Sequence, residues 1–291
     1  MDASLKTAIE QRIQKATCRE FSIQQTQSLS GGCIHQSFVV HDGQRSFFAK
    51  CNASSTEAIF RAEAQALNEI GATQTIRVPG VIAQGTNGPH AFLILEAIQF
   101  GSPSDTGWIR MGQQLALLHQ TTATYFGWQQ DNWIGSNPQL NPQEADWATF
   151  FCQWRLQPQL SIAKHNGYPF RHGQALLERA TDLLRDHQPT PSLLHGDLWS
   201  GNAGFTAKGQ PILYDPASYY GDRETDLAFT EFFGGFPDSF YRAYSDASPL
   251  PTGYEQRKAL YNLYHLLNHA NLFGGSYIPS TQASIDDLIN R

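Results

Sequence analysis

The spacing of hydrophobic and polar residues changes along the chain, from short strand-like runs in the first third to helical spacing in the last third. Apolar residues at helical intervals predict early helices at about residues 4–15 and 56–70. Alternating or β-rich runs predict strands at about residues 25–29, 36–41, 45–50, 78–82 and 91–96. Asp42-Gly43 indicates a hairpin turn between the second and third strands. We therefore expect a small antiparallel sheet with helices beside it.

The rest of the chain is predicted to be mainly helical. Gly, Ser and Pro are frequent over residues 96–107, which indicates a hinge segment. Helical spacing follows at about 108–118, at 145–163 and in the C-terminal third, where Leu260, Leu263, Tyr264 and Leu267 form an apolar stripe. The pattern predicts an α+β fold with two lobes, an N-terminal nucleotide-binding lobe over residues 1–98 and a C-terminal catalytic and substrate-binding lobe over residues 99–291.

Length and charge exclude several classes of function. A chain of 291 residues is long enough for one large domain or two packed lobes. The net charge is −6 and there is no run of Lys or Arg, which argues against nucleic-acid binding and against electrostatic docking on a membrane. The sequence shows neither a signal-peptide core nor a spanning segment of about twenty apolar residues, so we expect a cytoplasmic protein.

Cysteine and histidine spacing does not indicate a zinc site. The four cysteines contain no CxxC pair, and a chain of this length does not need disulfides to fold. His265 and His269 have the spacing of two metal ligands on one helix face, but no third ligand accompanies them in the sequence. Packed or hydrogen-bonded histidines are the expected outcome.

A candidate catalytic loop with the sequence His-Gly-Asp-Leu-Trp-Ser-Gly-Asn covers residues 195–202. Phosphoryl transfer to a hydroxyl needs a carboxylate that orients the nucleophile, and oxygen ligands for magnesium. Kinases place a metal-binding Asn five residues after the base Asp and a second metal-binding Asp after the next strand. Gly, Asn and Asp are also common in ordinary turns, but apolar runs before each segment predict that the acids lie at strand ends. We expect Asp197 to be the catalytic base, and Asn202 and Asp215 to bind Mg²⁺.

Residues upstream of this loop fit a nucleotide site. Lys50 ends a predicted strand, and Glu63 lies on the helix that follows. Protein kinases pair such a lysine with such a glutamate to hold the α- and β-phosphates of ATP. Each feature alone is more often structural, but their order along the chain favours nucleotide binding. Backbone contacts to the phosphates are expected in the glycine loop, at Gly31, Gly32 and Cys33, and the adenine is expected near Glu96 and Ile98.

In this order the segments resemble the fructosamine kinase (ketosamine-3-kinase) family, within the kinase-like folds that include aminoglycoside and choline kinases. The resemblance covers nearly the whole chain and is carried above all by residues 195–202. The other matching strings are Ser30–Ile34, Asp131–Gly135, Gln139 with Asn141, Arg155–Leu160, Tyr220–Ala228, Phe233–Phe236 and Leu263–His269. The resemblance implies a two-lobed protein-kinase-like fold, with a small antiparallel-sheet N-lobe and a larger, mainly helical C-lobe.

The resemblance also implies the reaction. The family uses ATP and Mg²⁺ to phosphorylate the C3 hydroxyl of a ketosamine, the sugar adduct on an amine or on a protein lysine, and the 3-phosphate then eliminates. Lys50, fixed by Glu63, would pair with the α- and β-phosphates. Asp226 would hydrogen-bond the backbone of the catalytic loop and, with His195, support it. The family usually has Asn at the position of His35, so the side-chain contacts of the phosphate loop are expected to differ here.

The sequence leaves the substrate and the assembly partly open. Trp199, two residues after the proposed base, is a candidate platform for the sugar, with core packing as the alternative. Other small alcohols, such as choline, homoserine or an aminoglycoside, are alternative substrates for the same machinery. A catalytically silent ATP-binding regulator is a third hypothesis, although the five core positions are intact. The ketosamine is free or protein-borne, and the protein is a monomer or a homodimer.

Overall fold

The computed structural model describes residues 1–29 and 35–290, which divide into two compact units. Unit 1 comprises Met1–Pro103 and Gly204–Asp215, and unit 2 comprises Ser104–Ala203 and Pro216–Arg291. Among the described helices, none combines the length and the apolar character needed to cross a membrane.

Along the chain, the first elements belong to unit 1 and the later ones to unit 2, except for one short hairpin that returns to unit 1. Unit 1 begins with α1 (Ala3–Thr17), β1 (Gln25–Leu29), β2 (Gln36–His41), β3 (Ser46–Ala53), α2 (Glu57–Ala72), β4 (Val81–Asn87) and β5 (His90–Glu96). Unit 2 follows with α3 (Asp105–Leu118), β6 (Asn132–Ile134), β7 (Asn137–Gln139), α4 (Trp147–Phe151), a π-helical turn (Cys152–Leu156), α5 (Gln157–His165), α6 (Gly173–Leu184) and β8 (Ser192–Leu193). After β8 the chain returns to unit 1 with the hairpin of β9 (Ala203–Phe205) and β10 (Pro211–Leu213). Unit 2 is then completed by β11 (Tyr220–Gly221), α7 (Glu224–Phe232), α8 (Asp238–Ala247), α9 (Tyr254–Phe273) and α10 (Tyr277–Asn290). The predicted α+β composition is confirmed.

The sheet of unit 1 is antiparallel and has the strand order β1-β2-β3-β5-β4. The turn predicted at Asp42-Gly43 joins β2 to β3, and Gly43 has a φ of +96°, which glycine adopts without a steric penalty. Side chains alternate between the two faces of a strand. Ala49 and Cys51 therefore pack with α1 on one face, whereas Lys50 lies opposite Leu93, which packs with α2 on the other.

Unit 1 also contains the hairpin of β9 and β10, which is distant in sequence. The amide of Gly101 donates to the Phe205 carbonyl at 2.8 Å, and that of Leu213 donates to the Arg77 carbonyl at 3.0 Å. The first segment of unit 1 ends at Pro103, and residues 204–215 form its second segment. The sequence suggested a single boundary after residue 98. These hydrogen bonds join segments far apart in the chain, so no local pattern announces them. The functional division into two lobes stays a prediction.

The fourth strand is the element whose predicted position was wrong. The sequence suggested residues 78–82, but β4 covers Val81–Asn87 and turns directly into β5. The pairing has an irregularity between Val81 and Ala83, which breaks the simple alternation that sequence analysis relies on.

Candidate active site

In unit 1, a buried lysine lies between two carboxylates. The Lys50 ammonium is 2.7 Å from Glu63 Oε1 and 2.7 Å from Asp215 Oδ1, and Lys50 is only 5% exposed. Burial by itself lowers the pKa of Lys50, but the charges and hydrogen bonds of the two carboxylates outweigh it and raise that pKa overall. The site therefore holds a fixed cation at physiological pH.

Glu63 is the buried partner in this cluster. It lies on the face of α2 that packs against the sheet, which is why its side chain meets Lys50. Burial raises the pKa of Glu63, and the charge of Lys50 opposes that effect only in part. Loss of either partner would leave an uncompensated charge in the interior, which is strongly destabilising.

Asp215 is the accessible partner. It follows β10 in the left-handed backbone region, with a φ of +58°, a conformation that Asp tolerates better than most residues. Although Lys50 is buried, 45% of the Asp215 side chain is exposed. A carboxylate that is held at one oxygen and accessible to solvent suits a Mg²⁺ ligand, because Mg²⁺ prefers oxygen donors and keeps several waters.

His35 lies beside this cluster as a neutral imidazole. Burial, together with the positive charge of Lys50, lowers the pKa of His35 to about 4, and the charge of Asp215 opposes both effects. The Asn52 amide nitrogen lies 2.9 Å from His35 Nδ1, so the ring proton is assigned to Nε2. Sequence reasoning noted His35 only as a departure from the family. The predictions for Gly31, Gly32 and Cys33 lie outside the described residues.

The residues predicted to contact adenine lie at the end of β5. The backbone amide of Glu96 already donates to the Gly80 carbonyl at 2.8 Å, and its carboxylate pairs with Arg77. Ile98 is partly buried two residues further on. A role for Glu96 and Ile98 in adenine binding stays a prediction, and the amide of Glu96 is an unsuitable donor for it.

In unit 2, residues 195–202, the predicted catalytic loop, bring Asp197 and Asn202 together. Asn202 Nδ2 donates to the Asp197 carbonyl at 2.8 Å and to Asp197 Oδ2 at 2.9 Å. Asn202 is buried, so this orientation is well defined, although the amide oxygen and nitrogen are distinguished by their hydrogen bonds. Since the nitrogen faces Asp197, the oxygen of Asn202 is the atom suited to a magnesium ion.

Asp226, in the first turn of α7, anchors the backbone of this loop. Its two oxygens accept hydrogen bonds from the amides of His195 at 2.7 Å and Gly196 at 2.8 Å, and the His119 ring donates to it at 3.2 Å. Burial alone raises the pKa of Asp226, but its hydrogen bonds and the neighbouring histidines outweigh burial and lower it. Asp226 is therefore charged although it is buried, and its two oxygens accept the hydrogen bonds that hold the loop.

Gly196 shows how closely this loop is packed. It has a φ of +83°, and a Cβ atom there would lie 2.1 Å from the Ala217 carbonyl oxygen. The amide of Ala217 in turn donates to the His195 carbonyl at 2.9 Å. The loop and the segment at Ala217 therefore fit together only with glycine at this position.

A buried polar network behind the loop was missed by sequence reasoning. Gln139 donates to the Ala217 carbonyl at 3.0 Å and Asn132 donates to the Ser218 carbonyl at 2.8 Å. Both amides connect through Asn141 to Arg155, whose Nη2 donates to Asn141 Oδ1 at 2.6 Å. These four residues belong to strings that resemble the family, and this was the one sign in the sequence that they matter. Nothing in the local sequence indicates that they are buried together.

Arg155 is the centre of this network. It is 0% exposed, donates to the Leu140 carbonyl at 2.6 Å, and its guanidinium lies 4.0 Å from the Tyr219 ring centroid and 4.6 Å from that of Phe150. Cation–π contacts of this kind are strongest where water is excluded. The guanidinium therefore joins the amide network to the aromatic core of unit 2.

Trp199 is partly buried and has a fixed orientation. Its ring meets Phe233 edge-on at a centroid distance of 5.4 Å. It also lies so close to Gly201 that a Cβ atom on that glycine would be 2.3 Å from the ring.

His265 and His269 are packed as expected. His265 stacks on Phe229 with 3.6 Å between centroids, and His269 Nδ1 donates to the His265 carbonyl at 2.7 Å.

The fold is that of the protein-kinase-like phosphotransferases. A choline kinase from Streptococcus pneumoniae shares it with a TM-score of 0.64 over 98% of this chain and 99% of that one, at 14% identity, a likeness that concerns the fold alone. The chain belongs to the fructosamine kinase family, whose sequence model matches residues 5–291.

Three relatives document this membership. A Synechocystis sp. protein named a probable ketoamine kinase is 49% identical over 282 residues, which are 97% of this chain and 96% of the relative. An Arabidopsis thaliana protein named protein-ribulosamine 3-kinase, chloroplastic, is 39% identical over 270 residues, 90% of this chain and 82% of the relative. The crystal structure of a Haemophilus somnus 129PT protein assigned as a fructosamine-3-kinase matches with a TM-score of 0.92 at 33% identity, over 96% of each chain.

Proposed function

We propose that this protein is an ATP-dependent kinase that phosphorylates the C3 hydroxyl of ketosamines. The observation that carries the proposal is the catalytic loop, in which Asn202 holds the Asp197 carboxylate at 2.9 Å in a chain of the fructosamine kinase family. The names of the Arabidopsis and Haemophilus proteins, which refer to ribulosamine and fructosamine, support sugar adducts of amines as the substrate class.

Unit 1 is proposed to bind the nucleotide. Lys50, held by Glu63, is the cation available to the α- and β-phosphates. Asp215 in unit 1 and Asn202 in unit 2 each offer an oxygen donor of the kind that Mg²⁺ prefers. When bound, Mg²⁺ would offset the negative charge that builds up on the phosphates during transfer.

Unit 2 is proposed to bind and orient the acceptor hydroxyl. The Asp197 carboxylate accepts the hydroxyl proton, and Asn202 fixes the orientation of that carboxylate. Asp226 keeps the backbone at His195 and Gly196 in place, so that the carboxylate does not have to be ordered in each turnover. Trp199 is proposed to face the apolar side of the sugar-derived chain.

The test is ATP consumption with a panel of candidate acceptors: ribulosamine, erythrulosamine, fructosamine, free ribulose, choline and an aminoglycoside. We expect turnover with ketosamines, and much slower turnover with ribulose, because the amine-linked arm supplies binding energy that aligns one hydroxyl. Preference for choline or the aminoglycoside would reject the ketosamine substrate but keep the kinase chemistry.

The panel also addresses the silent-regulator hypothesis. The intact set of Lys50, Glu63, Asp197, Asn202 and Asp215 argues against it, since ATP binding alone does not require a base. ATP binding without turnover of any acceptor would favour it. A cytoplasmic location, and the choice between monomer and homodimer, stay predictions.

A further inference from the structure

Phe100, in the segment that follows β5, is the most exposed large apolar side chain among the described residues. It is 57% exposed, although hydrogen bonds hold its backbone on both sides. The Ala207 amide donates to the Gln99 carbonyl at 2.7 Å. The Gly101 amide donates to the Phe205 carbonyl at 2.8 Å. The exposure of Phe100 is therefore a property of an ordered backbone that is paired with the β9–β10 hairpin.

The ring of Phe100 lies over a glycine of this hairpin. A Cβ atom at Gly204 would be only 3.0 Å from Phe100 Cε1 and 3.2 Å from Phe100 Cδ1, so the missing side chain leaves the space that the ring occupies. Tyr214 supports the ring from the neighbouring strand end, with 5.6 Å between the centroids and an angle of 70° between the planes. This edge-to-face arrangement is a favoured packing of aromatic rings. The ring is thus held by contacts, while more than half of the residue faces solvent.

This aromatic pair leads directly to the proposed phosphate site of unit 1. Tyr214 is followed in the chain by Asp215, whose carboxylate lies 2.7 Å from the Lys50 ammonium. Burial and the charge of Asp215 both raise the pKa of Tyr214, so its phenol is neutral at physiological pH. The surface that begins one residue before Asp215 is therefore aromatic and uncharged, which suits the flat face of a base.

The polar groups at the end of β5 are already engaged. The Glu96 amide donates to the Gly80 carbonyl at 2.8 Å, and the Glu96 carboxylate pairs with Arg77. A base bound in unit 1 therefore needs affinity from a contact other than these groups. An aromatic ring supplies it without a hydrogen bond, because every base has a π face.

We propose that Phe100 is the platform on which the purine base of ATP stacks, and that Gly204 and Tyr214 position its ring. The proposal rests on the proposed function, because that function places the phosphates and Mg²⁺ at Lys50 and Asp215. Unit 1 then holds the nucleotide at both ends, the base by stacking and the phosphates by charge.

The test measures the Kd values of Mg-ATP and of magnesium tripolyphosphate by calorimetry, without an acceptor. Tripolyphosphate has the phosphates of ATP but no base. Phe100→Ala is expected to weaken ATP binding about ten-fold or more, the size of a base–aromatic stack lost on substitution by alanine. The Kd of tripolyphosphate should stay within about two-fold. Phe100→Tyr, which keeps the ring, should bind ATP as the wild type does.

Phe273→Ala is the matched control, because Phe273 is also an exposed phenylalanine, with 48% exposure, and lies in unit 2 at the end of α9. It should leave both Kd values unchanged. Equal weakening of ATP and tripolyphosphate by Phe100→Ala would indicate general damage to unit 1 and overturn the proposal. Unchanged ATP binding would overturn it as well.

Nuclear magnetic resonance observes the stack directly. In the ATP complex, nuclear Overhauser contacts are expected between the adenine H2 or H8 proton and the ring protons of Phe100. Adenine contacts that involve only other side chains would reject the platform.

The binding measurements also separate this proposal from the proposed function. ATP binding that requires Phe100 supports the platform even if no ketosamine is phosphorylated, an outcome that would reject only the ketosamine kinase. Ketosamine phosphorylation with an unchanged KM for ATP in Phe100→Ala would reject only the platform. A wild type that does not bind ATP would reject both.

Discussion

At the residue scale, Asp197 and Asp215 are both acidic but have different surroundings, so their substitutions should have different effects. Asp197 is held by Asn202, and its proposed task is to accept the hydroxyl proton. Asp197→Asn keeps the size of the side chain and an oxygen that can accept the hydrogen bond from Asn202. We expect kcat to fall by about a thousand-fold, with ATP affinity nearly unchanged, in steady-state kinetics and calorimetry. Activity near that of the wild type would remove Asp197 from the role of base.

Asp215→Ala should instead weaken binding of the nucleotide. It removes a proposed Mg²⁺ ligand and one of the two carboxylates that contact Lys50. We expect ATP affinity in the presence of Mg²⁺ to fall at least about ten-fold, together with kcat. Equal affinity for Mg-ATP in wild type and variant would contradict the assignment.

At the element scale, the packing of α3 against α8 depends on a glycine. A Cβ atom at Gly112 would lie 2.4 Å from the Phe240 carbonyl oxygen and 3.0 Å from the Tyr244 nitrogen. Because both atoms belong to the backbone, the helices must move apart to accept a methyl group. Gly112→Ala should lower the free energy of unfolding by about 2 kcal/mol or more, measured by urea denaturation.

The neighbouring Gln113 supplies the control for this prediction. Gln113 lies on the exposed face of the same helix, and alanine is a good helix former there. Gln113→Ala should change the free energy of unfolding by less than about 0.5 kcal/mol. Similar effects of the two substitutions would mean that α3 and α8 are not closely packed.

Arg155, in the π-helical turn, is connected to the catalytic loop through Asn141 and the amides of the β6–β7 hairpin. Lysine keeps the charge but lacks the planar guanidinium that contacts Asn141, the Leu140 carbonyl and the aromatic rings. If Arg155 positions the loop, Arg155→Lys should lower kcat about ten-fold and leave KM for ATP within about two-fold.

Arg171→Lys is the control, because its side chain is 70% exposed in an ion pair with Asp286. A purely structural role of Arg155 predicts a lower melting temperature with unchanged kcat in the folded fraction. That result would remove Arg155 as a positioning residue.

At the scale of the whole molecule, buried histidines should make unit 2 sensitive to acid. Burial lowers the pKa of His265 from 6.5 to about 3. Between these values the unfolded chain binds a proton that the folded chain does not, so stability is full above about pH 6.5 and decreases as the pH falls towards 3. The loss approaches about 1.4 kcal/mol per pH unit.

This prediction is checked by urea unfolding at pH 7.5 and pH 5.5. His265→Phe keeps a ring to stack on Phe229 and removes the titrating group, so its loss of stability between the two pH values should be smaller by about 1 kcal/mol. Some loss should remain, because burial also lowers the pKa of His269. His165→Ala, at an exposed position, should show the wild-type loss.

The sequence by itself determined the features that depend on neighbours in the chain. The alternation around Lys50 and the helical stripe around Glu63 predict β3 and α2, and the two faces of β3 direct the lysine towards the helix. Asp197 and Asn202 belong to one short loop, so their spacing alone predicts that they meet. Membership in the family also followed from strings that can be read without a structure.

Only the tertiary structure decided which distant segments meet. Asp215 joins Lys50 because residues 204–215 hydrogen-bond to unit 1, and Arg155 supports the catalytic loop through amides of the β6–β7 hairpin. The ring contacts from Trp199 to Phe233 and from Phe233 to His269 likewise join the catalytic loop, the residue after α7 and helix α9. Contacts of this kind depend on how whole elements pack, and periodicity within one element carries no information about the partner that covers it.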